Sequence, residues 1–512
     1  MEIEEIRDII RFARSYYSND TAPLDLKSLQ TEDSKLGAFY KMLVNSPVQN
    51  DSEASDFIYG SPHPDTKYMF LKSNFTSRAL NSIAHLDLLR PDISDITRAV
   101  NKTYKNLFVV SVLLRLGSRK GAISLAKKTL RLSEKFEIHH VSVELLEKLR
   151  SNALQSGKIT EYEKYLARLE DELAILESES KVKTLEERLL IHSAKSLYID
   201  EALQEQARSA LEKMEAEQDK HESYMIRMAY FRMQYMYFQL IGHPRQSVDA
   251  CNNAIAYMNG MRHMTPPSRF GEFELYKLEN YILARDYENG KQSALICAKY
   301  FAPGSNPWFT YRSYEFILLM HTLRFGEADA VYQEVTTHPR YKSQLAHFGE
   351  RWEIFKLYLD YALDIDSQGT TGNKPKKSSL LRQDKYKKKI GEFPTYSADK
   401  RGFNVSILMM NILLLLENNR MDQLLEQVEA LATYRFSHLK GKNSYQSAIL
   451  FKLIQLMVRC DFDLGKMKKK AAILERTLQN TMPSTTEIFE CVQVLPPDWI
   501  WARMKNALEQ LA

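Results

Sequence analysis

Apolar residues recur along most of the chain at spacings of three and four, in blocks of about 17 to 20 residues that read as amphipathic helices. The clearest block runs over residues 224–241 and breaks at Gly242. It is followed by His243-Pro244 and a second block, in which Val248, Cys251, Ile255 and Met258 share one stripe. Proline suits the first turn of that second helix, because its missing N–H has no intrahelical partner there. The same layout predicts pairs at 101–116 with 119–136 around Gly117, 141–156 with 160–176 around Gly157, and 182–198 with 201–217. It continues at 270–285 with 287–301, 308–325 with 326–335, 403–417 with 421–434, and 445–459 with 464–478. Pairs begin about 36 to 46 residues apart where no insertion intervenes. One hairpin cannot bury both its faces, so a period of this length predicts an all-α stack in which each pair covers its neighbour.

The remaining segments frame that array. The first 60 residues read as shorter helices, with Asp51 or Ser52 as an N-cap, and 63–90 as one longer helix. Gly369, Gly372 and Pro375 mark a loop at 367–379. The C-terminal stretch 487–511, broken at Pro496-Pro497, is expected to cap the last pair. The domains predicted are a helical cap (1–95), helical repeats (96–364), a basic insertion (365–400), further repeats (401–482) and C-terminal capping helices (483–512).

Gly242, Ser247 and Ala254, preceded by Phe238, stand at the spacing that tetratricopeptide repeats use for their turn and small packing positions. Gly290 and Cys297, with Tyr281, follow the same spacing but have Arg285 in place of the turn glycine. Gly117 and Ala122 match, with Thr129 at the third position. Over roughly residues 100 to 482 the chain therefore resembles a degenerate tetratricopeptide-like array, with units longer than the usual ~34 residues. The resemblance implies a right-handed α-solenoid of antiparallel helix pairs with irregular helical caps. Armadillo or HEAT-type repeats are the structural rival.

Composition agrees with a helical array. The chain's 18 glycines and 16 prolines are too few for dozens of β-turns. Cys251, Cys297, Cys460 and Cys491 stand far apart in apolar contexts, which predicts reduced core thiols. The acidic start MEIEEIRDII lacks the pattern of a signal peptide, and the longest apolar run, 405–416, is short for a bilayer span, so a cytoplasmic protein without membrane contact is expected. Net charge is +5. Residues 374–389 hold eight basic side chains against Asp384 and contribute +7, which leaves −2 for all the rest.

Motifs that carry chemistry are missing. GSRKG at 117–121 is too short for a phosphate loop and lies between helices, and neither HExxH nor GxSxG occurs. His140 and Glu144 stand four apart, but two ligands make no metal site, and with His139 they read as a surface cluster at a helix start. No enzymatic activity, cofactor or metal is therefore expected.

The candidate binding residues lie elsewhere. Residues 224–238 carry aromatic or thioether groups around almost the whole helix, which suits a helix buried on both sides. Alternatively Arg227, Tyr230 and Tyr237 face a groove, Arg232 being the alternative to Arg227, with Tyr311 and Arg312 continuing the pattern two pairs later. The tract with Lys385, Lys387, Lys388 and Lys389 is either a solvated charge run or a docking element for an acidic protein or nucleic acid. The function expected is a protein-interaction scaffold or adaptor that grips a peptide or partner on the concave face. The rivals are a peptide- or ligand-sensing regulator and a nucleic-acid-binding accessory subunit.

Overall fold

The computed structural model describes residues 1–16, 34–84, 93–195, 201–344, 346–369, 403–438, 446–481, 483 and 493–511. Among these residues the chain is helical without a strand, and it divides into two compact units, Met1–Ile93 and Ser94–Ala512.

The first unit holds α1 (Ile3–Tyr16), α2 (Lys35–Asn45), α3 (Asp51–Tyr59) and α4 (Thr66–Ala84). Ile3, Ile6 and Ile10 form one stripe of α1 and bury against Phe39, Tyr68 and Phe75. The buried Arg7 guanidinium donates to the carbonyls of Leu43, Ser46 and Val48, satisfying acceptors that the end of α2 leaves open. Asn50, not Asp51 or Ser52, is the N-cap of α3, and its side chain accepts the Glu53 N–H at 3.0 Å. Asp51 instead receives Lys72 at 2.7 Å and the Tyr68 hydroxyl at 2.6 Å, which joins α3 to α4.

The second unit runs through α5 (Asp95–Arg115), α6 (Arg119–Lys135), α7 (His139–Gln155), α8 (Ile159–Lys195), α9 (Glu201–Lys220), α10 (Tyr224–Leu240) and α11 (Pro244–Gly260). It continues with α12 (Pro267–Leu283), α13 (Tyr287–Tyr300), α14 (Asn306–His321), α15 (Phe325–Thr337) and α16 (Ala346–Gly369). The last helices are α17 (Phe403–Glu417), α18 (Met421–His438), α19 (Gln446–Arg459), α20 (Leu464–Asn480) and α21 (Pro497–Leu511). Each helix packs on the next, and α5, α8 and α12 also touch the helix two places on. Four apolar clusters follow one another, and a helix is shared at each junction. Helix α8 gives Tyr165 and Leu169 to one cluster and Val182 and Leu189 to the next. In α10, Ile226 and Met233 lie in one cluster and Met228 and Tyr235 in another. Phe273 of α12 faces backward, and Leu278 and Ile282 face the largest cluster. This is neighbouring-pair packing of the kind a helical repeat requires.

The turns inside the pairs share one geometry. Gly117, Gly157, Gly242, Arg285, Leu323, Asn419 and Asp461 all have positive φ. In each case two N–H groups reach back to the end of the preceding helix, as in His243 N–H to the Phe238 carbonyl (2.8 Å) and Arg324 N–H to the Leu319 carbonyl (2.8 Å). This is the Schellman closure, and the lack of glycine at four of the seven positions is why the sequence pattern was incomplete there. The pair expected at 308–325 and 326–335 accordingly breaks at Leu323, with Gly326 inside α15.

Two further expectations change. The helices expected at 160–176 and 182–198 form the single α8, because no glycine or proline interrupts 159–195. Helix α21 does pack on α19 and α20, but it also reaches far back along the chain. Asp498 pairs with Arg285 at 2.6 Å, Arg503 with Glu417 at 2.7 Å, and Trp499 lies edge-on to Phe325 and Tyr361. The buried His321 donates its Nε2–H to the Gln493 carbonyl (2.7 Å), and burial pushes its pKa down to about 4, so it is neutral.

His139 was expected at the surface with His140. His140 is exposed, but His139 is buried. Its Nδ1 lies 2.6 Å from Glu172 and its Nε2 3.7 Å from Glu179, both on α8. Glu179 also accepts from Ser223 at 2.6 Å, and Glu137 caps the Tyr224 N–H, so the cluster joins α7, α8 and the start of α10. Burial alone would depress the imidazole, but the Glu172 hydrogen bond and the Glu179, Glu172 and Glu137 charges outweigh it and hold the pKa above 6.5.

Gly242→Ala should cost about 1–2 kcal/mol from backbone strain alone, since nothing lies within 4 Å of the added Cβ. Leu323→Gly should stay within about 0.5 kcal/mol of wild type, relief of strain offsetting the added freedom of the unfolded chain; urea denaturation of both variants distinguishes them. His139→Gln should destabilise by about 3 kcal/mol at pH 6, since it leaves two carboxylates facing each other. The imidazolium contribution is complete below pH 6.5 and is lost as pH rises through the raised folded value, so the gap between variant and wild type should close in alkaline buffer. A gap independent of pH contradicts the charged clamp.

Candidate functional site

Helix α10 is capped by Ser223, whose hydroxyl accepts the Ile226 N–H, and both its flanks are buried. The positions left between those flanks meet the first helices of the neighbouring pairs. Arg232 forms a two-point ion pair with Glu186 of α8, at 2.5 and 3.0 Å. Tyr235 stacks on Tyr276 of α12 with ring centroids 4.2 Å apart, and its hydroxyl donates to Glu279. Gln239 donates to the same carboxylate at 3.3 Å, as does Tyr314 from α14. Tyr276 donates to Glu272 at 2.9 Å, where Arg269 also binds at 2.5 Å. Polar and aromatic groups thus form a row across α8, α10, α12 and α14.

Glu279 stands out in this row. Glu274, five residues earlier, is buried but paired with Lys277 at 3.1 Å and receives Ser293 at 2.8 Å. Glu279 is half-buried and makes no ion pair among the described residues. Burial raises its pKa, and the hydrogen bonds from Tyr235, Tyr314 and Gln239 only partly restore the ordinary value. The phenols of Tyr235, Tyr276 and Tyr314 are pushed upward, first by burial and then by the facing carboxylates, so they remain donors at neutral pH. The site can therefore offer tyrosine rings and one under-compensated carboxylate to a cationic or hydrogen-bonding group.

The predicted residues fall into separate environments. Tyr230 and Tyr237 pack half-buried against the cluster shared by α8, α9 and α10. Arg227 lies over the Tyr257 ring of α11, 6.0 Å from its centroid. Tyr311 is buried, stacked on Phe301 and edge-on to Trp308. Arg312 packs beside the Trp308 and Tyr311 rings and pairs with Glu315 at 2.6 Å and with Glu334. Lys385, Lys387, Lys388 and Lys389 lie outside the described residues. The structure brings Tyr311 and Arg312 into contact but does not join them to Arg227, Tyr230 and Tyr237.

Of the row itself, Arg232 was a named candidate and Tyr235 lies in the aromatic stretch 224–238, whereas Gln239, Glu272, Tyr276 and Glu279 carried no expectation. A readable signal existed: Glu272, Tyr276 and Glu279 stand at i, i+4 and i+7, one face of α12. Comparison with protein-family models, with curated proteins and with solved structures gives no match. Among the described residues no helix is long and apolar enough to cross a membrane, and no cluster of three or more His, Cys, Asp and Glu could hold a metal ion.

Glu279→Gln should stabilise the second unit at pH 7.5, on the order of 1 kcal/mol, because a neutral amide keeps an acceptor for the tyrosines without a half-buried charge. Its folded pKa lies above 4.5, so wild-type stability falls as pH rises through that window. Denaturation midpoints of the two proteins should converge below pH 4.5 and separate toward neutrality; a destabilised variant at pH 7.5 overturns this assignment.

Proposed function

We propose that the chain is a non-enzymatic scaffold or adaptor. In this reading it is a tetratricopeptide-like, right-handed solenoid of antiparallel helix pairs. The first helices of its pairs hold a peptide segment of a partner protein. The observation that carries the reading is the row from Arg232 and Tyr235 through Tyr276 and Glu279 to Tyr314, supplied by the first helices of three successive pairs. An extended ligand meets a stack of repeats at one contact per repeat, and tyrosines provide rigid apolar area with a hydrogen-bonding tip at small entropic loss. The under-compensated carboxylate favours a lysine or arginine of the partner.

A photo-crosslinking residue in place of Gln239 tests this directly. In the native host it should capture a defined partner, and capture should fall sharply when Tyr276→Ala is added. The same residue in place of the exposed Leu295 on α13 should capture little. Equal capture from both positions, or capture indifferent to Tyr276→Ala, would refute the placement.

A further inference from the structure

Helices α5 and α6 open the second unit, and together they hold a concentration of charge that the whole-chain value hides. Residues 95–135 contain ten Lys and Arg against Asp95 and Glu134, a local charge of +8 in a chain of net +5. On α6 the exposed Lys120, Lys127, Arg131 and Lys135 share one stripe. Among the described residues, Lys102, Arg115, Arg119, Lys120, Lys128 and Arg131 take part in no ion pair. Alongside them α5 turns large apolar groups outward. Phe108 is 71% exposed, Leu116 78% and Tyr104 49%, and they follow one another at intervals of four and eight residues, with Val109 beside them. The stripe is about 18 Å long. In α10 and α12 the corresponding helices are clasped by clusters on both sides, and terminal repeats ordinarily carry a polar outer face.

We propose that this hairpin is a second docking surface, whose occupant is an acidic amphipathic helix of a partner protein. It rests on the scaffold reading only in taking a protein segment as the ligand. Charge complementarity sets the sign: the cations flanking the stripe call for carboxylates. The apolar stripe then selects among anionic partners. A nucleic acid would neutralise the cations but leave Phe108 and Leu116 without apolar contact. A flat anionic bilayer suits cations and apolar groups on one side, whereas here basic residues also line the solvent face of α6. A helix with apolar side chains every third and fourth position and glutamates on its borders fits both features.

The test uses the full-length chain and a fluorescein-labelled peptide of three heptads, with leucine at the first and fourth positions and glutamate or alanine elsewhere. Fluorescence anisotropy should show saturable binding that weakens about tenfold with Phe108→Ser and again with combined Arg115→Glu, Arg119→Glu and Lys120→Glu. Replacing the peptide's glutamates by glutamine should weaken it by a similar factor. All of the substituted residues are exposed, and circular dichroism melts should match wild type. Absence of saturable binding overturns the proposal. So does charge-swap sensitivity without any effect of Phe108→Ser, or tighter binding of oligouridylate or phosphatidylserine vesicles at the same salt. Leu295→Ser on α13, run in parallel, should leave peptide binding unchanged. A loss of binding with that variant as large as with Phe108→Ser would refute the hairpin while sparing the scaffold reading, which crosslinking from position 239 tests by itself.

Discussion

Burial of a single helix from two sides is the constraint on which the second unit depends. Helices α8, α10 and α12 each contribute to two successive apolar clusters, so that no cluster closes without its neighbours. Where the same turns serve both clusters, as in α10, no broad polar face remains, whereas α8 meets its two clusters with successive halves and keeps a charged side. This explains why α10 carries aromatic and thioether groups almost all round, and why Phe316 of α14 and Trp352 of α16 are buried in the same large cluster. Two polar side chains there are partnered across helices: Asn280 donates to Ser247 at 3.2 Å, and Arg232 closes on Glu186. Glu279 has hydrogen bonds from Tyr235, Tyr314 and Gln239 but no cation among the described residues, the feature on which the proposed binding row rests.

The second constraint is the tight reversal between paired helices. A Schellman turn satisfies carbonyls that would otherwise be left open and fixes where the second helix starts. Four of these reversals use Arg285, Leu323, Asn419 or Asp461 in a conformation that glycine adopts more easily. At Arg285 the residue does additional work, because its guanidinium reaches Asp498 of the C-terminal helix at 2.9 and 2.6 Å. Glycine would relieve the backbone and remove that link.

Helix positions were readable because the period of three and four is imposed by the burial just described. The spans of α10, α11, α19 and α20 follow from it almost residue by residue. Continuity was harder to read, since nothing local distinguishes a short loop at 177–181 from five more helical residues; the absence of Gly and Pro was the available sign for α8. The site was less legible still. Tyr230 and Tyr237 share a face with each other, but which face is covered depends on where α9 sits, and periodicity does not specify that. His139 illustrates the same limit, because its partners Glu172 and Glu179 lie more than thirty residues away on another helix. Helix α21 joins residues separated by up to 213 positions, a relation invisible to any local pattern.

Charge shows why an average over the chain misleads. Between exposed groups at physiological salt, electrostatic interaction fades beyond about 8 Å. A partner approaching α5 and α6 therefore senses the +8 of that hairpin and little of the compensating acids elsewhere. The sum over 512 residues places this protein near neutrality, while the distribution places strong positive potential beside exposed Phe108 and Leu116. Acids on and beside the hairpin are already engaged: Asp95 with Arg98, Glu134 with Arg168, and Glu161 with Lys158 and Lys127. They reduce the local field without cancelling it, because each is shared with another cation. Net charge thus describes the solubility of the whole, whereas association is governed by the local surplus at the surface that a partner meets.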